Sequence, residues 1–167
     1  MENAKTTQAN PLVQKYASAR SNLLLMLVLT VVNIVLLFTG ADLMLLFSAT
    51  IPYVSSIVAM LAYSYGQIAY GYIAVAVIPL VLYLVCWILS KKNVGWMIAA
   101  FVLFIIDTIY MAYFYISAGD ASGILDVVIH ALVLYYLFVG VKSGLALKNQ
   151  PAEAIEVEAP VTENTEM

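Results

Sequence analysis

The stretch LLLMLVLTVVNIVLLF, residues 23–38, contains no charged side chain. A run of this kind, within a segment of about 20 mostly apolar residues, is typical of a helix that crosses a bilayer. Backbone polar groups in hydrocarbon must pair within their own segment, so a helix is expected rather than an extended chain. The sequence therefore predicts a membrane-spanning helix over residues 20–40.

Three further segments share this composition, namely residues 67–90, 94–117 and 123–146. The chain as a whole is 64% hydrophobic and only 10% charged, whereas a soluble domain carries about 25% charged residues. No segment alternates polar and apolar residues at period two, as a membrane strand would. We therefore predict an all-α integral membrane four-helix bundle over residues 20–147.

The segment ADLMLLFSATIPYVSSIVAMLAYSYG, residues 41–66, separates the first two predicted spans. It is too apolar for a solvated loop, and Pro52 makes one unbroken helix unfavourable. We expect a short helix at 43–50, a break at Thr50–Pro52 and a second helix at 53–64. This additional interfacial helical segment either lies at the membrane surface or dips back into the bundle.

All basic residues fall on one side of this four-span arrangement. They precede span one, lie between spans two and three, or close span four: Lys5, Lys15, Arg20, Lys91, Lys92, Lys142 and Lys148. The opposite connections, 41–66 and 118–122, contain no Lys or Arg. The positive-inside rule then predicts a multi-pass protein of the cell membrane with both termini in the cytoplasm.

The two ends of the chain differ from the spans in composition. Residues 1–19 are polar and predict a cytoplasmic N-terminal arm, while 148–167 hold five Glu and two Pro and predict a disordered acidic tail. No basic stripe indicates a nucleic-acid partner. Membrane lipids are the expected partners, with a second copy or another membrane protein as the alternative.

Several features of residues 19–53 resemble a family of small multi-pass membrane proteins from Gram-positive bacteria. These are the Ala19-Arg20-Ser21-Asn22 entry, Asn33 inside span one, and Phe47-Ser48-Ala49 followed by Ile51-Pro52-Tyr53. The family has no established activity. The resemblance implies a helical protein of a bacterial inner membrane and transfers no catalytic residue.

Asp107, Asp126 and His130 are the ionisable side chains of the predicted spans that could form a site inside the membrane. Asp107 precedes Asp120 of the connecting turn by 13 residues, and His130 follows it by 10. At about 1.5 Å per residue, both therefore lie at similar depth on neighbouring antiparallel helices. Asp126 and His130 are four residues apart and share one helix face. The spacing predicts an intramembrane polar cluster of Asp107, Asp126 and His130.

Three interpretations of this cluster stay open at this point. Asp107 and His130 could pair to join two helices, as intramembrane ionisable groups often face the protein interior. The cluster could instead conduct a proton or an ion across the membrane. It could also bind a divalent metal such as zinc, although the Asp-x-x-x-His spacing is a weak motif. No other cofactor is predicted.

Two more features of the spans concern helix packing. Gly140 and Gly144 form a G-x-x-x-G in span four, which lets helices approach closely in lipid. We expect packing within the bundle, with a seam between two copies of the chain as the alternative. Asn33 lies near mid-membrane in span one, where we expect it to hydrogen-bond across to another helix.

We find no motif typical of a nucleophile elbow, a phosphate loop or a zinc protease. The preferred hypothesis is therefore a non-enzymatic accessory subunit or homo-oligomeric membrane component. One alternative is a small transporter or channel that uses the Asp/His cluster. The other is an intramembrane enzyme acting on a lipid.

Overall fold

The computed structural model describes residues 10–41, 43, 45–118 and 123–150. These residues form five helices: α1 (Pro11–Phe38), α2 (Thr50–Ser64), α3 (Tyr70–Leu89), α4 (Val94–Ala118) and α5 (Ile124–Lys148). All but α2 are long and apolar enough to cross a membrane. The predicted all-α membrane bundle with four spans is therefore confirmed.

Helix α1 begins nine residues before its predicted start at residue 20. Asn10 caps it, because its side-chain oxygen accepts a hydrogen bond of 3.0 Å from the backbone N–H of Leu12. Pro11 occupies the first helical position, where its fixed φ favours the helix and its missing N–H costs nothing. The N-terminal arm predicted over 1–19 is therefore helical from residue 11. Residues 1–9 and the acidic tail predicted after residue 150 lie outside the described part.

The basic residues of the described part gather at one end of the bundle. There the N-terminus of α1 meets the α3–α4 turn, since the Tyr16 hydroxyl donates to the Ser90 carbonyl at 2.7 Å. The Arg20 guanidinium donates to Ser90 Oγ at 3.0 Å and to the carbonyl of Trp87 at 3.2 Å. We call this the basic end, and the other side of the bundle the opposite end.

Glycines bring α5 close to its neighbours near the basic end. A Cβ at Gly140 would collide with the Cβ of Ala19 in α1. A Cβ at Gly144 would lie 2.5 Å from Val94 Cγ2 and 2.6 Å from Tyr16 Cε2. Because the absence of a side chain permits both contacts, the G-x-x-x-G serves here to pack α5 against α1 and the start of α4.

The chain after α1 turns back into the bundle. Asn33 binds the backbone of Leu45, and the Thr30 hydroxyl accepts a hydrogen bond of 2.8 Å from the backbone N–H of Ala49. Thr30 lies eight residues before the end of α1 at Phe38, or about 12 Å below it along the helix. Residues 45–49 therefore descend along α1 to mid-bundle depth.

Helix α2 then returns to the opposite end. It begins beside the middle of α4 and ends at Ser64, and a short turn leads to Tyr70 at the start of α3, against which α2 packs. We call residues 45–64 the re-entrant segment. The sequence left two placements open for this segment, at the membrane surface or within the bundle. Its contacts are those of a segment that dips into the bundle.

The start of α2 differs from the prediction. Residues 43 and 45–49 are not helical, so the prediction of a short helix at 43–50 is wrong for the residues described there. Phe47 has φ of 72°, which turns the chain before the helix. Pro52 lies in the first turn of α2, where no intrahelical N–H bond is needed, so it starts a helix instead of breaking one.

Candidate functional site

The Asp107 carboxylate caps helix α2 from a different helix. Its Oδ2 accepts a hydrogen bond of 2.8 Å from the Thr50 N–H, and its Oδ1 accepts one of 2.7 Å from the Ile51 N–H. These donors belong to the first turn of α2, where helical N–H groups have no intrahelical partner and the helix dipole is positive. Asp107 is only 1% exposed, so the negative charge and the helix terminus compensate one another inside the bundle.

His130 completes this junction from α5. Its Nε2 lies 3.3 Å from Asp107 Oδ2 and 3.2 Å from Thr50 Oγ1, while its Nδ1 lies 3.0 Å from the backbone carbonyl of Asp126. A carbonyl only accepts, so Nδ1 carries a proton. Nε2 then accepts from the Thr50 hydroxyl in a neutral imidazole and donates to Asp107 in a charged one.

An aromatic ring covers the imidazole on the side of the basic end. The rings of Phe104 and His130 are stacked, with centroids 5.1 Å apart and an interplanar angle of 15°. Phe104 is fully buried and belongs to a tightly packed core that includes Met97, Val133 and Leu137. The polar junction is therefore closed toward the basic end by apolar side chains.

Asn33 also holds the re-entrant segment, but it binds the non-helical residues that precede α2 and not the helix itself. Its Nδ2 donates to the Leu45 carbonyl at 2.7 Å and to Ser48 Oγ at 3.0 Å, and its Oδ1 accepts from the Leu45 N–H at 2.7 Å. The expectation that Asn33 would bond to another helix is therefore wrong. Asn33 and Asp107 act on the same segment at different points and do not bond to each other.

Asp126 is near His130 only through its backbone. Its carboxylate accepts a hydrogen bond from the hydroxyl of Tyr115 and does not bond to Asp107 or to the imidazole. The residues described contain no group of three His, Cys, Asp or Glu side chains arranged to hold a metal ion. The predicted cluster thus divides into a buried junction, Asp107 with His130, and a separate carboxylate nearer the opposite end.

A cavity of about 230 Å³ adjoins the junction in the half of the bundle toward the opposite end. The start of the re-entrant segment, the first turns of α2 and the facing parts of α4 and α5 form its walls. His130, Asp126 and Thr50 contribute polar atoms, while the rings of Phe47, Tyr53 and Phe114 supply much of the apolar lining. Asp107 does not line the cavity, because the re-entrant segment covers it.

Sequence reasoning did not find Thr50, Ser48 or Tyr115 as members of this site. Pro52 offered one usable signal, because proline is tolerated in the first turn of a helix and so marks a possible helix start near Thr50. Ser48 and Tyr115 offered none, since their roles depend on contacts with distant parts of the chain.

Comparison with known families, curated proteins and solved structures found no match to this chain. The resemblance of residues 19–53 to small membrane proteins of Gram-positive bacteria therefore stays a prediction.

Proposed function

We propose that this protein is a non-enzymatic membrane protein that binds a small, largely apolar molecule with a cationic group in the cavity beside the re-entrant segment. The observation that carries the proposal is the combination of this cavity with Asp126. One Asp126 oxygen accepts from Tyr115, whereas Oδ1 has no hydrogen-bond partner among the residues that the structure describes. A ligand that donates to Oδ1 would satisfy that oxygen.

The size and lining of the cavity indicate the class of ligand. A dry protein cavity of about 150 Å³ accommodates benzene, so the cavity of about 230 Å³ suits one aromatic ring with a short side chain. The rings of Phe47, Tyr53 and Phe114 favour an apolar body, and aromatic faces attract cations. The carboxylate of Asp126 favours an ammonium group.

The bonds of His130 support binding over catalysis. In a nucleophilic triad, the carboxylate orients one ring nitrogen and the nucleophile faces the other. Here Asp107 and Thr50 share Nε2, and a backbone carbonyl occupies Nδ1. No ring nitrogen is left to act as a base on a ligand in the cavity. The closed core beneath Phe104 likewise supports a binding site over a path for ions.

The first experiment measures binding of three matched probes, 2-phenylethylamine, 2-phenylethanol and ethylbenzene, to the full chain in lipid nanodiscs. Cys86 is the single cysteine and is buried, so a fluorogenic thiol dye reports unfolding, and a bound ligand raises the unfolding temperature. We expect the amine to stabilise most and ethylbenzene least. In Asp126→Asn the amine should lose about tenfold in affinity and the alcohol almost none.

Two tryptophan variants test the location of binding. Ile57 lines the cavity, whereas Ile109 is 64% exposed on the lipid-facing side of α4. Ile57→Trp should abolish stabilisation by the amine, and Ile109→Trp should leave it unchanged. Equal stabilisation of both variants, or an unchanged amine affinity in Asp126→Asn, would refute the proposed site.

We also propose that the protein resides in the cell membrane with the basic end in the cytoplasm, which puts both termini there. The described Lys and Arg residues gather at one end of the bundle, and cytoplasmic loops are rich in such residues. The test uses a Cys86→Ser background with one new cysteine, Lys92→Cys or Gln67→Cys. In intact cells, an impermeant thiol reagent should label Gln67→Cys only. Labelling of Lys92→Cys instead would reverse the orientation.

A further inference from the structure

A second cavity, of about 400 Å³, lies at the basic end among the ends of α1, α3, α4 and α5. Lys91, Lys92 and Lys148 line it, and the described residues contribute no Asp or Glu to its walls. Within residues 10–41, 43, 45–118 and 123–150, none of these three ammonium groups forms an ion pair. Three positive charges without an acidic partner in the described part of the chain therefore line one concave surface.

The start of α4 adds to this positive potential. Asn93 and Val94 line the cavity, and Asn93 Oδ1 caps the helix by accepting a hydrogen bond of 2.8 Å from the Gly95 N–H. The N-terminus of a helix of this length carries a partial positive charge. The lysines and the helix terminus thus act with the same sign on the same volume.

The frame of the cavity is held by contacts between helices. The Tyr16 hydroxyl bonds to the Ser90 carbonyl at 2.7 Å, which joins α1 to the α3–α4 turn. Gly144 packs so closely that a Cβ would meet Val94 Cγ2 at 2.5 Å. Because these contacts involve three different helices, the cavity does not depend on the conformation of one mobile side chain.

From these observations we infer that the cavity binds a phosphate anion, supplied by the headgroup of an acidic phospholipid. The cavity lies at the ends of the spanning helices, and spanning helices of about 20 residues have their ends near the headgroups of a bilayer. Val94 and Leu147 provide apolar contacts on its lining, against which acyl chains can pack. Basic cavities between membrane helices are suited to anionic headgroups. This site is independent of the cavity beside the re-entrant segment, which lies toward the opposite end.

The experiment compares two double variants that lose the same charge. Lys92→Gln/Lys148→Gln removes two lysines of the cavity, and Lys15→Gln/Lys142→Gln removes two exposed lysines of the basic end that do not line it. Each full-length protein is titrated with dihexanoyl phosphatidylglycerol, dihexanoyl phosphatidylcholine or inorganic phosphate. Unfolding is followed by dye labelling of Cys86.

We expect phosphatidylglycerol to stabilise the unaltered protein saturably and phosphatidylcholine to have little effect. Loss of the two cavity lysines should weaken phosphatidylglycerol binding about 30-fold, and loss of the two control lysines less than about threefold. Stabilisation by inorganic phosphate as strong as that by phosphatidylglycerol would keep the phosphate site and assign it to the free anion. Equal weakening in both double variants would overturn the proposal, because only diffuse charge would then attract the lipid.

The acidic residues after Gln150 are the competing occupant of this cavity. If phosphatidylglycerol stabilises the protein only after residues 151–167 are deleted, the tail fills the cavity in the full chain, and the lipid assignment is wrong. Unchanged lipid affinity after that deletion supports it.

Discussion

Replacing Asp107 by asparagine should loosen the re-entrant segment while leaving the four spanning helices in place. The carboxylate accepts from the N–H groups of both Thr50 and Ile51. An asparagine side chain has one acceptor oxygen, and its amide N–H₂ would face the other donor. One charge-assisted hydrogen bond is therefore lost, and one buried N–H is left without a partner.

The magnitude follows from opposing contributions. Loss of a hydrogen bond to a charged group costs about 1.5–3 kcal/mol, and the unsatisfied N–H adds about 1–3 kcal/mol. Removal of a buried charge offsets part of this, and polar groups unfolded within a membrane also find other partners. We expect a net destabilisation of about 2 kcal/mol. For a chain of this size, that lowers the unfolding temperature by roughly 4–8 °C.

The assay follows dye labelling of Cys86 on heating, with Asp126→Asn as the control. Asp126 is half-buried and accepts a hydrogen bond from Tyr115, which an asparagine oxygen can also accept. The control should therefore shift the unfolding temperature by less than about 3 °C, which corresponds to under about 1 kcal/mol. Equal shifts in the two variants would refute the capping role of Asp107.

A second measurement separates local release from general destabilisation. Ser48 is buried, so Ser48→Cys in a Cys86→Ser background reacts with a bulky maleimide only when the re-entrant segment opens. A change of about 2 kcal/mol raises the open population roughly 30-fold. Labelling should accelerate by that factor in Asp107→Asn. An unchanged rate would show that the carboxylate does not hold this segment.

Three other substitutions test the packing and the polar bonds by the same thermal assay. Asn33→Ala should destabilise the protein by about 2 kcal/mol, because it leaves polar atoms of the re-entrant segment unpaired. Its control, Asn22→Ala, removes no side-chain hydrogen bond within the described residues and should have little effect. Gly140→Ala should destabilise the protein by about 1–3 kcal/mol through overpacking against α1. Its control, Gly71→Ala, has open space at the new Cβ and should stabilise by up to about 1 kcal/mol. The reverse order of the two variants would contradict the packing geometry. Phe104→Ala should destabilise the protein by about 2 kcal/mol. This is less than in a soluble protein, because the ring is surrounded by lipid and not by water when the helices separate. An unchanged unfolding temperature would exclude a packing role for Phe104 at His130.

The spanning helices could be predicted because length and apolar composition determine them almost locally. The depth of two residues could also be estimated by counting from the connecting turn, and the structure has His130 Nε2 and Asp107 Oδ2 3.3 Å apart. The start of α2 could not be predicted in this way. Its capping carboxylate is 57 positions away from Thr50, and no local propensity reports such a partner.

The role of Asn33 escaped prediction for a related reason. Its depth in span one suggested a helix partner, but depth alone does not distinguish a helix from a loop that reaches the same level. The descent of residues 45–49 depends on Thr30 and Asn33 acting together on the returning chain. The cavity could not be anticipated either, since its walls come from segments that meet only once the chain has turned back.

The distance along the chain between Asp107 and the helix that it caps has a consequence for biosynthesis. Asp107 follows Thr50 by 57 positions and Ile51 by 56, and His130 follows Thr50 by 80. When residues 50 and 51 leave the ribosome, neither of these two partners has therefore been synthesised. Bare N–H groups in hydrocarbon are costly, so the nascent segment should wait at the water interface while the later helices insert. Its entry would then be among the final steps of maturation, after α5 has been synthesised.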